Sequence, residues 1–223
     1  MTVKRTTKQE QQNMASEPTL KRLPTYLHHI QKLTDNGIKY VSAPAMAKVL
    51  EYDSTQIVKD LSVTGIKGKP RVGYNIIDLI KTIEEYLGFD KTNEAFLVGA
   101  GKLGQALLSY HELQGFGINI IAAFDIDPKK INTKYGNTTI LHIEKLGELA
   151  NRLCVDIGIL TTPPQMAQNT AMAMVKSGIK AIWNLTPVKL KLPDNIIVQD
   201  TSMYSNVAVL LKKYHSSKKK KKK

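Results

Sequence analysis

Residues 99–104 read Gly-Ala-Gly-Lys-Leu-Gly, the G-x-G-x-x-G spacing of a phosphate cradle. Gly99 allows a tight turn, Gly101 lets the main chain approach a pyrophosphate, and Gly104 lets a helix pack closely on a strand. A helix opening here adds amide donors and a partial positive charge, with Ala100, Lys102 and Leu103 supplying the intervening backbone. Glycines at this spacing also arise by chance, so the surroundings carry the weight. An apolar run over 94–98 precedes the motif, and Leu103, Ala106, Leu107 and Tyr110 follow at helical spacing. The next apolar run, 118–124, ends in Asp125, 26 residues after Gly99. A carboxylate at that point accepts hydrogen bonds from ribose hydroxyls and repels a 2′-phosphate, which favours NAD over NADP. Thr161, Thr162 and Pro163 follow the run 155–160, and Asn184 stands near the end of the run 181–185. At the carboxyl edge of a parallel sheet these side chains would face the same crevice.

A second concentration of chemistry lies upstream. Asp53 or Ser54 can cap a short helix carrying Gln56, Ile57, Lys59 and Leu61, and the segment 65–74 then reads Gly-Ile-Lys-Gly-Lys-Pro-Arg-Val-Gly-Tyr. Its three glycines and proline favour a tight hairpin. Lys67, Lys69 and Arg71 alternate, so an extended strand would project them from one face; with Lys59 they form the densest basic cluster outside the C-terminal tail. Phosphate contacts demand such cations.

The elements that must position these groups can be read from periodicity. Leu20, Leu23, Leu27, Ile30 and Leu33 form one apolar helical stripe ending at Gly37. Ser42 caps a helix with Met46, Val49 and Leu50 inward, and the helix after Asp53 completes a helix-turn-helix. Asn75 and Asp78 open a further helix with Ile76, Leu79, Ile80, Ile83 and Leu87 inward and Gly88 as its stop. Residues 19–88 thus read as a winged helix-turn-helix domain. Residues 91–200 alternate short apolar strands (94–98, 118–124, 139–141, 155–160, 181–185, 196–198) with helices, including 143–152 and 164–177. That pattern is an α/β fold with a doubly wound, Rossmann-type parallel sheet. Residues 201–215 form a last helix with Met203, Val207, Leu210, Leu211 and Tyr214 on one face. Residues 1–18 are polar enough to read as a flexible arm, and 216–223 as a disordered or engineered lysine tail.

Composition narrows the class. The 223 residues are 42% hydrophobic and 23% charged, an ordinary globular balance. Lys and Arg number 32 against 19 Asp and Glu, a net charge of +13; six of the cations are the lysines of 218–223, leaving +7 without them. No apolar run approaches a membrane span and the first 18 residues have no signal-peptide core, so a cytoplasmic protein without a membrane partner is expected. Cys154 is the single cysteine, excludes an internal disulfide or a zinc finger, and reads as a buried, inert thiol. Catalytic equipment is thin. The histidines, at 28, 29, 111, 142 and 215, adjoin neither the Thr161 nor the Asn184 loop, and the sheet leaves little chain for a substrate domain. No catalytic residue and no metal site are expected; the reading is a nucleotide sensor.

The chain resembles the Rex family of redox-sensing transcriptional repressors over about residues 20–212. The resemblance rests on 22–27 (Arg-Leu-Pro-Thr-Tyr-Leu), 56–62 (Gln-Ile-Val-Lys-Asp-Leu-Ser), 72–74 (Val-Gly-Tyr), the glycine loop with 106–110 (Ala-Leu-Leu-Ser-Tyr), 122–128 (Ala-Ala-Phe-Asp-Ile-Asp-Pro), 160–163 with Ala167 and Gln168, and 184–188 (Asn-Leu-Thr-Pro-Val). It implies a homodimer that binds palindromic double-stranded operator DNA through its winged helices and NADH or NAD+ in its Rossmann domain, with the C-terminal helix swapped onto the partner. NADH binding is implied to release the DNA. Carried over, Gln56 and Lys59 face the major groove with Ser54 nearby, Lys67, Lys69, Arg71 and Tyr74 contact the backbone or minor groove, and Tyr110 lies near the nicotinamide. The chain departs from the family where Val58 replaces an Arg, Val63-Thr64 a Tyr-Phe pair, and His28 and Ser202 an Arg and an Asp that couple the domains. Two other classes compete: a Rossmann NAD-dependent oxidoreductase or CoA-binding subunit, and a DNA-binding paralogue that does not sense nucleotide.

Overall fold

Ser16, itself extended, accepts a hydrogen bond from the Thr19 amide and caps helix α1 (Glu17–Asp35). The computed structural model describes residues 15–220, so most of the predicted arm lies outside the described residues. Its last part does not behave as an arm: Ala15 is buried and donates its amide to the Tyr86 hydroxyl. Residues 15–18, ahead of the predicted domain boundary, therefore belong to the folded unit.

The chain divides into two compact units at residue 91. In the first, β1 (Tyr40–Val41), α2 (Ala43–Leu50), α3 (Ser54–Ser62), β2 (Tyr74–Asn75) and α4 (Ile76–Leu87) follow α1, and β1 pairs antiparallel with β2. Ser42, Asp53 and Asn75 cap α2, α3 and α4 as their sequence positions predict, and Gly88 closes α4 in the left-handed conformation. Leu23, Leu27, Ile30, Met46, Ile57, Leu61, Ile76, Leu79 and Ile83 meet in one core together with Tyr26. Val49, expected inside, is 63% exposed because it falls beyond the buried edge of α2.

The second unit is a seven-stranded sheet in the order β5-β6-β4-β3-β7-β8-β9. Its strands are β3 (Asn93–Val98), β4 (Ile118–Asp125), β5 (Lys134–Tyr135), β6 (Thr138–His142), β7 (Ile157–Leu160), β8 (Ala181–Asn184) and β9 (Ile197–Asp200). All pair in parallel except β5, an antiparallel edge strand absent from the sequence reading. Helices α5 (Lys102–Leu108), α6 (Leu146–Leu153) and α7 (Pro164–Lys176) make the crossovers. Phe96 and Phe124 meet edge to face at 5.1 Å in one core layer. Winding reverses between β3 and β7, the switch point where ligands of open α/β sheets bind.

Helix α5 ends at Leu108, so Tyr110 leaves the predicted helix and its ring is 49% exposed. Cys154 is exposed, contrary to expectation, because it terminates α6 in a left-handed conformation instead of entering β7. The last helix, α8 (Met203–Lys220), runs beyond residue 215 into the lysines; residues 221–223 lie outside the described ones. No helix among the described residues is long and apolar enough to cross a membrane.

Candidate nucleotide cavity and DNA-reading face

The loops after β3 and β7 touch. Gly99 has φ +106, and a Cβ on it would lie 2.8 Å from the Thr161 carbonyl carbon and Thr162 nitrogen; a Cβ on Gly104 would strike the Gly99 carbonyl oxygen. Both glycines are therefore demanded by the protein's own packing. Gly101 is different: its φ is ordinary, and a Cβ there would meet nothing within 4 Å. No neighbour within the chain requires a glycine at 101, which caps α5 and leaves open space where a pyrophosphate would approach.

A cavity of about 680 Å³ opens at this point, lined by Gly99 and Gly101, by Phe124 and Asp125 at the end of β4 and Ile126, Asp127 and Lys130 after it, and by Thr161, Thr162, Pro163, Met166, Asn169, Thr170 and Ala173 from the β7 loop and α7. Its size and mainly apolar walls with a few convergent polar groups suit a cofactor. Thr161 donates to the Gly99 carbonyl at 2.6 Å, tying the two loops together. The Thr162 hydroxyl is buried without a hydrogen-bond partner among the described residues. Such an orphan costs about 1–3 kcal/mol unless a bound group satisfies it. The open face of Gly101 and this hydroxyl both fit a dinucleotide.

Asp125 is on the wall as predicted, yet it is already engaged. Its carboxylate accepts from the amides of Ala100, Ile126 and Asp127 at 2.8–2.9 Å and from Lys130 Nζ at 3.0 Å. Burial works to raise its pKa, but the Asp127 amide and the Lys130 ammonium outweigh that and hold it below the usual carboxylate range. Lys130, which the sequence reading missed, places a cation against the acid expected to repel a 2′-phosphate. Its signal was the five-residue return across the turn at Asp127-Pro128.

Two predicted contacts fall elsewhere. Asn184 is fully buried, and its amide bonds the Val188 carbonyl, Asp200 Oδ1 and Thr186, so it ties the β8 loop to β9 instead of facing the cavity. Tyr110 lines a separate small hollow with His111, Asn137 and Thr138. Lys102 is exposed and Leu103 half-buried; neither side chain lines the cavity, and Ala100 contributes its amide to Asp125.

In the first unit, α3 buries Ile57, Asp60 and Leu61. Asp60, 1% exposed, accepts five hydrogen bonds: from Thr19 Oγ1, Arg22 Nε and Nη2, Tyr26 Oη and Gln56 Nε2, at 2.6–3.0 Å. Burial alone would raise its pKa; the Arg22 guanidinium and the other donors override it and bring the carboxyl down to about 2. Burial, together with the same acid, pushes the Tyr26 hydroxyl well above its ordinary range. The network fixes α3 against α1, and it occupies the Gln56 side chain that the sequence assigns to the groove. Ser54 is half-buried, while Thr55, Lys59 and Ser62 face solvent.

The basic segment is not an alternating strand. Lys69 and Gly73 exchange amide hydrogen bonds of 2.7 and 2.9 Å around a tight turn with exposed Arg71 at its tip, φ +62. Lys69 Nζ sits 5.8 Å from the Tyr40 ring centre. Lys67, Lys69 and Arg71 are all exposed, but Tyr74 is 8% exposed and packs on Gly68, and burial raises its hydroxyl pKa. Tyr74 is a core residue of this domain, not a surface contact.

Comparison with known proteins matches this division. Residues 90–188 match the family described as "CoA binding domain", and residues 15–62 the one described as "Putative DNA-binding protein N-terminus". A Bacteroides thetaiotaomicron protein named redox-sensing transcriptional repressor Rex is 42% identical over 197 residues, covering 88% of this chain and 90% of its own. A Treponema denticola protein of the same name is 41% identical over 199 residues, 89% and 95% of the two chains. Among solved structures, RSP, a Rex-family repressor, in complex with β-NAD+ and operator DNA is 32% identical with TM-score 0.87, over 94% of this chain and 96% of that one. RSP with β-NADH gives TM-score 0.83 over 94% and 98%. The chain belongs to the Rex family of redox-sensing transcriptional repressors.

Proposed function

We propose that this protein is a dimeric cytoplasmic repressor that binds palindromic operator DNA through α3 and the Lys69–Gly73 turn, and releases it when NADH occupies the cavity beside Gly101. The observation that carries the nucleotide half is the contrast among the three motif glycines: two are demanded by packing, and the third leaves open space beside a cavity that Thr162 also lines. Gly101, Thr162 and Pro163 are the groups for the pyrophosphate and its neighbourhood. Asp125, with Lys130, takes the adenosine ribose.

Dimerisation rests on α8. Met203, Tyr204, Val207, Leu210, Leu211 and Tyr214 are each about half or more exposed on one helix, and an amphipathic helix is stable only when such a stripe is covered. A second copy, taking the helix by exchange, covers it. His28 is exposed on α1 and Ser202 accepts the Ser205 amide at the start of α8, so neither supplies the charge of an Arg–Asp pair. Coupling then depends on differential contacts elsewhere, because a ligand shifts a two-state equilibrium only by its unequal affinity for the two states.

Titration of the full chain with NADH, NAD+, NADPH and coenzyme A, followed by calorimetry, tests the cavity. NADH and NAD+ bind at one site per chain, and coenzyme A does not. Tight coenzyme A binding without NADH binding would favour the CoA-binding reading instead.

A further inference from the structure

Helix α3 turns three kinds of residue away from its core. Ile57, Asp60 and Leu61 point inward, Thr55, Lys59 and Ser62 outward, and Val58 sits at the flank of the outward face, 45% exposed. The fold gains little from that valine. A β-branched residue on the solvent side of a helix interior is a poorer helix former than Lys, Glu or Ala, and a half-exposed Val buries little apolar area. Thr55 lies three residues before it, on the adjoining turn, and carries another methyl group. The outward face thus offers one cation and a methyl-bearing edge, with no arginine or free amide, since Gln56 is held by Asp60.

We propose that Val58 is a specificity-determining residue that packs on the 5-methyl group of a thymine in each operator half-site. The inference rests on the assignment of α3 as the element that enters the major groove. In that groove thymine alone presents an apolar group, whereas guanine and cytosine present only acceptors or donors that Val58 cannot satisfy. Lys59, one residue on, is the neighbouring cation for a phosphate or a guanine edge. The face therefore selects a thymine by a methyl contact where a charged side chain would select guanine.

The test uses a DNA duplex selected by the full-length protein from a randomised library. Each thymine is then replaced singly by deoxyuridine, which removes the methyl group and keeps base pairing. One thymine per half-site is expected to lose about three- to fivefold in affinity on replacement, the worth of one buried methyl. In Val58→Ala, an exposed-site change that raises helix propensity, that penalty shrinks towards unity while penalties at other positions stay. In Val58→Arg, reselection brings guanine to the same position, because Arg pairs with its O6 and N7. Tolerance of deoxyuridine at every position, or an undiminished penalty in Val58→Ala, overturns the inference and leaves the DNA-binding assignment standing. Failure to select any duplex overturns that assignment, and the inference with it.

Discussion

Asp60 in the first unit and Asp125 in the second are both buried carboxylates whose pKa is held below the ordinary range by hydrogen bonds, but their surroundings differ in kind. Asp60 receives side-chain donors only, from two helices, and lines neither the large cavity nor the small hollow beside Tyr110. Asp125 receives three backbone amides and one lysine, and it forms a wall of the large cavity. A carboxylate satisfied entirely by side chains fixes two helices relative to each other. One held by its own loop keeps that loop's shape while its outer edge stays available to a ligand. The first acid sets how α3 packs on α1, and the second shapes the wall of the cavity proposed for the nucleotide.

The largest break of this comparison comes at Asp60. Replacing it with Ala leaves Arg22 without its buried partner, and removal of one member of a buried pair costs about 3–5 kcal/mol. In Asp60→Ala, denaturant titration is expected to show an early transition of the first unit with NADH binding by the second retained; a loss below about 1 kcal/mol would mean that the network carries no stability. Acid sharpens the same point. The carboxyl titrates near 2 in the fold against 3.8 ordinarily, so its contribution of about 2 kcal/mol is complete above roughly pH 4 and is lost as pH falls towards 2. Asp60→Asn should lack that step in stability.

Next in size is Gly101→Val. Because a Cβ there meets nothing within 4 Å, unfolding stability should change by less than about 1 kcal/mol while NADH affinity falls more than about tenfold. Gly99→Ala provides the contrast, since strain at φ +106 and contact with the Thr161 backbone must lower stability. Equal effects of the two changes on folding would erase the distinction drawn between these glycines. Replacing Lys67, Lys69 and Arg71 by Ala should reduce the slope of log affinity for DNA against log salt by up to about 3, roughly 0.9 for each phosphate that is no longer neutralised. An unchanged slope would remove the turn from the interface. The smallest effect is expected at Lys130→Met, about 1 kcal/mol in stability, with the Asp125 carboxyl titrating higher once its cation is gone.

Much of this was legible in the sequence because it is local. Caps at Ser42, Asp53 and Asn75, the stop at Gly88 and the strand-glycine-helix junction each depend on a few neighbouring residues. The Asp60 network was missed although its parts are visible: Thr19, Arg22 and Tyr26 recur at helical spacing, and Asp60 occupies a core position between Ile57 and Leu61. What the sequence lacks is the crossing of α1 and α3, which joins positions 34 to 41 residues apart. Asn184 ends a strand at the carboxyl edge, a position that points towards a cofactor. Burial turned its amide to the loop instead. The helical period runs on through Tyr110 although the chain abandons it two residues earlier, and the alternation of Lys67, Lys69 and Arg71 has the pattern of a strand where Arg71 takes a left-handed turn.

Occupancy of the cavity beside Gly101 is proposed to govern DNA affinity at α3. It is tested most directly by fluorescence anisotropy of a selected operator duplex bound to the full chain, at fixed salt, with saturating NADH or NAD+. NADH is predicted to weaken the complex by about tenfold or more relative to NAD+, a coupling of at least about 1.4 kcal/mol. Equal operator affinity with and without either nucleotide, under conditions where both are shown to bind, would contradict it.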